Sequence, residues 1–192
     1  MICAIVLAAG RSQRMGTQKL LLPFAGSTVI ARVADAFLGV PVDQTIVVIR
    51  ENDQQLRAAL SGRPVIFVEN LDPNSDMLGS VRGGLRALPA AAETILVSPG
   101  DLPLLDPKLI REMLAAFRAT GRGILVPVHA GRRGHPLVFS ARFREEILTS
   151  FDGAGLRGLL QAHAGEVFEW LSVDAAVLED IDTPDDYQRA TR

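Results

Sequence analysis

The sequence has a single cysteine, three histidines and almost no net charge, and each scarcity removes a class of function. Cys3 alone cannot close an internal disulfide, and its place in an apolar run reads as a small core side chain. With His129 and His163 it forms no zinc-ligand set. Lys plus Arg number 20 against 22 Asp plus Glu, a formal charge of −2. No whole-molecule basic field therefore draws in nucleic acid, and any polyanion site has to be local. Long hydrophobic runs are missing too. The apolar stretch over residues 2–9 has no basic segment ahead of it and breaks at Gly10, Arg11 and Arg14. It is too short for a membrane span and wrongly flanked for a signal peptide, so the expected compartment is the cytoplasm. The chain shows no internal repeat, low-complexity tract or linker. Its 192 residues, 48% apolar and 22% charged, suit one compact domain over residues 1–192.

What is present is a regular alternation of short apolar, β-branched runs with longer stretches of helical periodicity. Continuous apolarity predicts a buried strand at residues 2–7. Further strands are expected at 45–49, 65–68, 94–98, 124–128, 137–139 and 167–173. Helices are expected at 28–38, 53–60, 78–88, 107–119, 141–148, 155–163 and 184–190, the fourth and the last with Pro near the first turn. This alternation predicts an α/β fold, a three-layer αβα sandwich around a mainly parallel sheet. The strand–turn–strand around residues 131–135 predicts one antiparallel departure. In such sheets ligands bind at the carboxyl ends of the strands. The unusual residues gather there, at 8–16, 70–80 and 99–103.

The strongest motif follows the first strand: Leu7, Ala8, Ala9, Gly10, Arg11, Ser12, then Arg14-Met-Gly16 and Lys19-Leu-Leu-Leu-Pro23. Small residues let backbone approach a ligand, and successive N–H groups can cradle an anion. Arg11, Arg14 and Lys19 set cations beside that cradle, Arg as a bidentate fork and Lys as a point charge. The loop is not a P-loop, lacking Gly-Lys-Ser/Thr, and its glycines do not fall at G-x-G-x-x-G spacing. A second motif, Pro99-Gly-Asp-Leu-Pro103, follows a buried strand. It sets Asp101 at the sheet edge, where a carboxylate can hold Mg²⁺ or cap the next helix. Asp182, in Asp180-Ile-Asp-Thr-Pro184, reads either as a second ligand or as favourable chemistry at a helix start, with Asp180 competing. Met77-Leu-Gly-Ser-Val-Arg82 opens a helix at which Gly79 and Ser80 can offer N–H and hydroxyl groups, or where a serine simply caps. Arg82 faces the same site or solvent. His135, held extended by the following proline, can face a cleft.

Taken in order, L-A-A-G-x-S-x-R-M-G-x-x-K-L-L-L-P, Asn70 with Met77–Arg82, Pro99–Pro103, Arg133-Gly-His-Pro136, Gly158-Leu-Leu160 and Asp180–Pro184 resemble the MobA-like nucleotidyltransferases over nearly the whole chain. Among them the sequence is most similar to the molybdenum cofactor cytidylyltransferases. The resemblance implies a Rossmann-like, nucleotide-diphospho-sugar transferase fold and a Mg²⁺-dependent transfer of CMP from CTP to molybdopterin with release of pyrophosphate. It implies catalytic roles for Arg14, Lys19 and Asp101, and metal ligation by Asp101 and Asp182. It implies nucleotide contacts from residues 7–12, Arg14, Lys19, Asn70, Gly79, Ser80, Pro99, Gly100 and Asp101, and an acceptor contact from His135. The guanylyltransferase relatives tend to read L-A-G-G, so Ala9 tilts the base toward cytosine, with GTP as the alternative. Isoprenoid cytidylyltransferases share the opening motif but carry Pro-Lys-Gln where this chain has Gln18-Lys19-Leu20. Sugar-phosphate nucleotidyltransferases carry a Gly-x-Arg-x-x-Pro loop that is absent. A non-catalytic chaperone handing a pterin cofactor to a molybdoenzyme is the reading from another class.

Overall fold

The computed structural model describes residues 1–10, 17–72 and 74–191. Strand β1, Ile2–Leu7, is apolar on both faces because both faces are covered. Ala4, Val6 and Ala8 pack into one core and Cys3 and Ile5 into the other, as the two-residue period of a strand requires. Next comes a two-stranded hairpin, β2 at Pro23–Phe24 and β3 at Ser27–Thr28. Helix α1, Val29–Leu38, starts on the Thr28 side chain, which accepts from the Ala31 N–H. Then follow β4 (Gln44–Arg50), α2 (Gln54–Ala59), β5 (Val65–Asn70), α3 (Met77–Ala87), β6 (Thr94–Pro99) and α4 (Pro107–Thr120). The second half holds β7 (Ile124–His129), β8 (Arg132–Arg133), β9 (Leu137–Ser140), α5 (Arg144–Thr149), α6 (Leu156–Ala162), β10 (Val167–Leu171) and α7 (Pro184–Ala190).

The main sheet runs β10-β7-β9-β6-β1-β4-β5, with β8 paired to β7. Helices α1, α2 and α4 cover one face, and α3, α5 and α6 the other, which gives the expected three layers. Val29, Ile30, Val33 and Phe37 of α1 are fully buried, each contributing on the order of 1.5–3 kcal/mol by leaving water. Antiparallel pairing is concentrated in one place, as the turn near residue 131 predicts. Strand β9 lies between β6 and β7 and opposes both, and β8 folds back on β7. Among the described residues no helix is long and apolar enough to cross a membrane.

Three details depart from the sequence reading. The hairpin of β2 and β3 turns on Ala25 and Gly26, both at positive φ, without the Asn-Gly that announces such a turn. The helix expected over 141–148 is a 3₁₀ turn at Ala141–Phe143 followed by α5. Strand β10 stops at Leu171 because the Ser172 hydroxyl accepts from the Asp174 N–H and donates to its carbonyl, turning the chain.

Candidate functional site

The chain leaves β1 toward β4 and β5, then returns to place β6 on the other side of β1. Ligand crevices of open α/β sheets form beyond the strand ends at such a reversal. Leu7 pairs with Pro99 across it, and the Gly100 N–H donates to the Leu7 carbonyl at 2.9 Å. A Cβ on Gly100 would stand 2.8 Å from Ile30 Cδ1 and 3.0 Å from that carbonyl, so only glycine closes the two strand ends this tightly. A cleft of about 730 Å³ opens above them, within the range of small-ligand pockets.

Lys19 enters this cleft on a short 3₁₀ turn, Lys19–Leu21, anchored by buried Leu20. Gln18 Nε2 ties the turn down by donating to Asp53 Oδ2 at 2.9 Å. The Lys19 ammonium lies 2.6 Å from Asp101 Oδ2 and 2.7 Å from Asp182 Oδ1. Lys19 and Asp101 keep only 13% and 14% of their side-chain surface exposed, against 38% for Asp182. Asp182 reaches this point because Ile181, fully buried, donates its N–H to the Asp101 carbonyl at 2.9 Å. The backbone is then fixed by a capping box: Thr183 and Asp186 satisfy each other's main-chain donors, and Asp186 also accepts from the Asp182 N–H.

Burial acts to lower the Lys19 pKa, but Asp101 and then Asp182 outweigh it and hold the ammonium above the usual lysine value. Burial, with the charges of Asp101 and Asp182, pushes the Asp180 carboxyl up. Among the described residues, Asp101 and Asp182 thus act on the ammonium, and its charge in turn opposes the rise at Asp180. Asp101 Oδ1 is also buried with no hydrogen-bond partner among the described residues, a costly state for a carboxylate oxygen. No set of three or more His, Cys, Asp or Glu groups among the described residues is arranged to hold a metal. A cation here would draw on Asp101 and Asp182 and keep its remaining positions for other ligands, which suits Mg²⁺ or a similar hard ion.

The far wall is the β7–β8 hairpin and the strap at residues 177–182. The His135 N–H donates to the Val177 carbonyl at 2.9 Å. His135 precedes Pro136 through a cis peptide. Burial pushes the His135 imidazole below its usual pKa, opposed by the charge of Asp180, and its Nδ1 has no partner among the described residues.

The near wall is the start of α3. Its cap is Asp76, which accepts from the Gly79 N–H at 2.8 Å. The cap is thus an aspartate rather than the serine that the alternative reading supposed, and the Gly79 N–H is engaged by it. Asn70 sits behind this wall: its Nδ2 donates at 2.9 Å to Oγ of Ser80, which lines the cleft, and Asn70 itself is not among the lining residues. Arg82 bonds to the Ile147 and Ser150 carbonyls and to Asp152, so it faces neither the site nor open solvent but the α5 end.

Leu7, Ala9, Gly10, Lys19, Ser80 and Pro99 line the cleft, as do Asp101, His135, Asp180 and Asp182. Ala8 is buried, donating its N–H to the Val48 carbonyl, and Gly100 is packed under Leu7. Arg11, Ser12 and Arg14 lie outside the described residues. Sequence reasoning misses Ser75, Asp76, Met77 and Arg132, which also line the cleft. Asp76 carries a signal, an aspartate directly before an apolar helical run. Arg132 carries none beyond its charge.

Residues 4–167 match the family described as MobA-like NTP transferase domain. The chain belongs to that family. The proteins similar to this MobA-like chain do not share one activity. A nicotine blue oxidoreductase from Paenarthrobacter nicotinovorans is 30% identical over 98% of this chain and 95% of its own. A molybdenum cofactor cytidylyltransferase from Escherichia coli strain K12 is 26% identical over 97% of this chain and 93% of its own. The crystal structure of Rv0371c from Mycobacterium tuberculosis H37Rv is 32% identical, covers 99% of this chain and 96% of that one, and gives a TM-score of 0.84. A second Rv0371c structure, a complex with manganese, gives 0.79 at 30% identity over 99% and 97% of the two chains.

Proposed function

We propose that this MobA-like transferase moves CMP from CTP to molybdopterin with release of pyrophosphate. The observation that carries the reading is the Lys19 ammonium held between Asp101 and Asp182 at the reversal of the sheet. Two carboxylates meeting a nearly buried ammonium at the end of a mainly parallel sheet are chemistry suited to a divalent ion and phosphate. Asp101 and Asp182 would hold Mg²⁺, which when bound supplies positive charge to the phosphates of both substrates.

In the transfer, an oxygen of the acceptor's terminal phosphate forms a bond to the α-phosphorus of CTP. The bond from that phosphorus to the α,β-bridging oxygen breaks, and pyrophosphate leaves with the electron pair. The attacking oxygen is already anionic, so no strong general base is needed, and the protein's work is positioning and charge stabilisation. Lys19 contributes charge beside the triphosphate, with the backbone near Gly10 and the arginines of the loop. His135, neutral at physiological pH, offers Nδ1 on the acceptor side. Ala9 supports cytosine over guanine.

The likeness to nicotine blue oxidoreductase favours a second reading, an oxidoreductase on the same scaffold. Pyrophosphate release is the decisive measurement, run with each of the four NTPs, Mg²⁺, and molybdopterin with and without bound molybdenum. Release with CTP that depends on the pterin is expected. Release with GTP alone would move the protein to guanylyl transfer. Pterin binding without turnover would make it a cofactor chaperone, and dye reduction by a nicotinamide donor without pyrophosphate would make it an oxidoreductase.

A further inference from the structure

Asn70 and Ser80 form a polar pair whose direction can be assigned. The Asp72 N–H donates to Asn70 Oδ1 at 3.2 Å, an Asx turn of the kind this side chain forms with the backbone two residues on. Because that donor requires an oxygen, the two ends of the amide cannot be interchanged, and Nδ2 must face Ser80 Oγ, 2.9 Å away. An amide nitrogen only donates, so the Ser80 oxygen accepts. Its own proton is then left to donate to a different acceptor. Ser80 is buried to 7% exposure and lines the cleft. Among the described residues its hydroxyl donates to nothing, and its N–H is spent on the Asp76 carbonyl within the helix. The neighbouring Gly79 N–H is spent on the Asp76 carboxylate. The Ser80 hydroxyl is therefore a side-chain donor that this wall can offer a ligand.

We propose that Asn70 is a positioning residue which fixes Ser80 as a hydrogen-bond donor into the cleft, so that the bound nucleoside must present an acceptor, a carbonyl oxygen or ring nitrogen, at that point. The inference rests on the nucleotide reading of the cleft. It assigns Asn70 no contact with the ligand.

Asn70→Asp tests it. The substitution keeps the shape and keeps an oxygen for the Asp72 N–H. It presents a second acceptor to Ser80, whose proton then turns toward the new carboxylate and out of the cleft. The link between the two side chains survives with its direction reversed, so a merely structural role predicts wild-type binding. The probes are CTP, GTP and inorganic tripolyphosphate, titrated calorimetrically with Mg²⁺ present. For whichever nucleotide the wild type prefers, Asn70→Asp should bind roughly three- to tenfold more weakly, with unchanged tripolyphosphate affinity and an unchanged melting temperature. Ser80→Ala should lose the same amount, and the double variant no more than either single one. Wild-type affinity in Asn70→Asp, an equal loss for tripolyphosphate, or additive losses in the double variant would each overturn the inference. Failure of the wild type to bind any nucleotide would instead overturn the reading of the cleft, and this inference with it.

Discussion

The main-chain N–H of Ile181 donates to the carbonyl of Asp101 across 80 positions of sequence, at 2.9 Å. The bond lies beneath the side chains of Asp101 and Asp182, so the two carboxylates are carried by backbone that is joined directly. Lys19 then closes the cluster from above. Removing charge from one carboxylate should therefore disturb the chemistry without disturbing the frame. Asp101→Asn keeps its main-chain carbonyl and its shape. It should lower pyrophosphate release at least about 100-fold while far-UV circular dichroism and melting temperature stay close to wild type. Full activity in this variant would remove Asp101 from the site.

Lys19→Ala should behave differently. The ammonium is the cation shared by Asp101 and Asp182, and its removal leaves Asp101 nearly buried beside like charge. Breaking such a pair costs several kcal/mol when both partners are buried, and the exposure of Asp182 lowers this to about 2 kcal/mol. The Lys19 pKa is raised in the fold, so its stabilisation is complete below the unfolded value of about 10.4 and fades as pH rises through the folded one. The variant should lack that alkaline loss. Millimolar Mg²⁺ or Mn²⁺ should raise the melting temperature of Lys19→Ala more than that of wild type, because the ion replaces missing charge. Equal shifts in the two proteins would argue against a cation at these carboxylates.

The sequence pattern reveals the scaffold well and the walls of the cleft poorly, for identifiable reasons. Strand β1 shows itself by continuous apolarity and helix α1 by its period, because burial alone decides which of their positions are apolar. Asp101 and Lys19 stand out because each follows a buried strand or a small-residue loop, where a charge has no packing role. Gly79 reads as a ligand contact from its place at a helix start, and Asn70 does so only through the family resemblance. Their hydrogen bonds, however, go to Asp76 and to Ser80, and which local acceptor a donor finds is a matter of a few torsion angles that composition does not encode. The choice between Asp180 and Asp182 is open in the sequence for the same reason. Only the fold puts Asp182 on the Lys19 ammonium and leaves Asp180 between that cluster and His135.

His135 supplies a pH dependence with a definite sign. Burial lowers its pKa in the fold, so the native protein holds fewer protons than the unfolded chain between the two values. Stability is then unaffected by His135 above about pH 6.5 and declines as pH falls below it toward the folded pKa. His135→Gln should lose less stability than wild type as pH falls from about 6.5 to about 5, measured by urea denaturation at each pH. An imidazole resonance of His135 titrating at or above about 6.5, the ordinary histidine value, would contradict this.

Gly134 joins the hairpin to the strap on the far wall of the cleft, and its substitution separates geometry from charge. A Cβ there would sit 2.2 Å from the Val177 carbonyl oxygen and 2.8 Å from its carbon. These are backbone atoms, so no side chain can swing aside to make room. Either the strap or the hairpin has to move. The Gly134 N–H also donates to the Pro127 carbonyl at 2.8 Å and the His135 N–H to Val177, and a shift lengthens one or both bonds. Gly134→Ala should cost about 1–3 kcal/mol, the range of overpacking at a closed site. If the strap and hairpin form the acceptor wall, the variant should raise KM for molybdopterin more than KM for CTP, since Lys19 and the end of β1 lie on the other side of the cleft. Equal changes in the two KM values, at a temperature where the variant remains folded, would show that this wall does not belong to the acceptor.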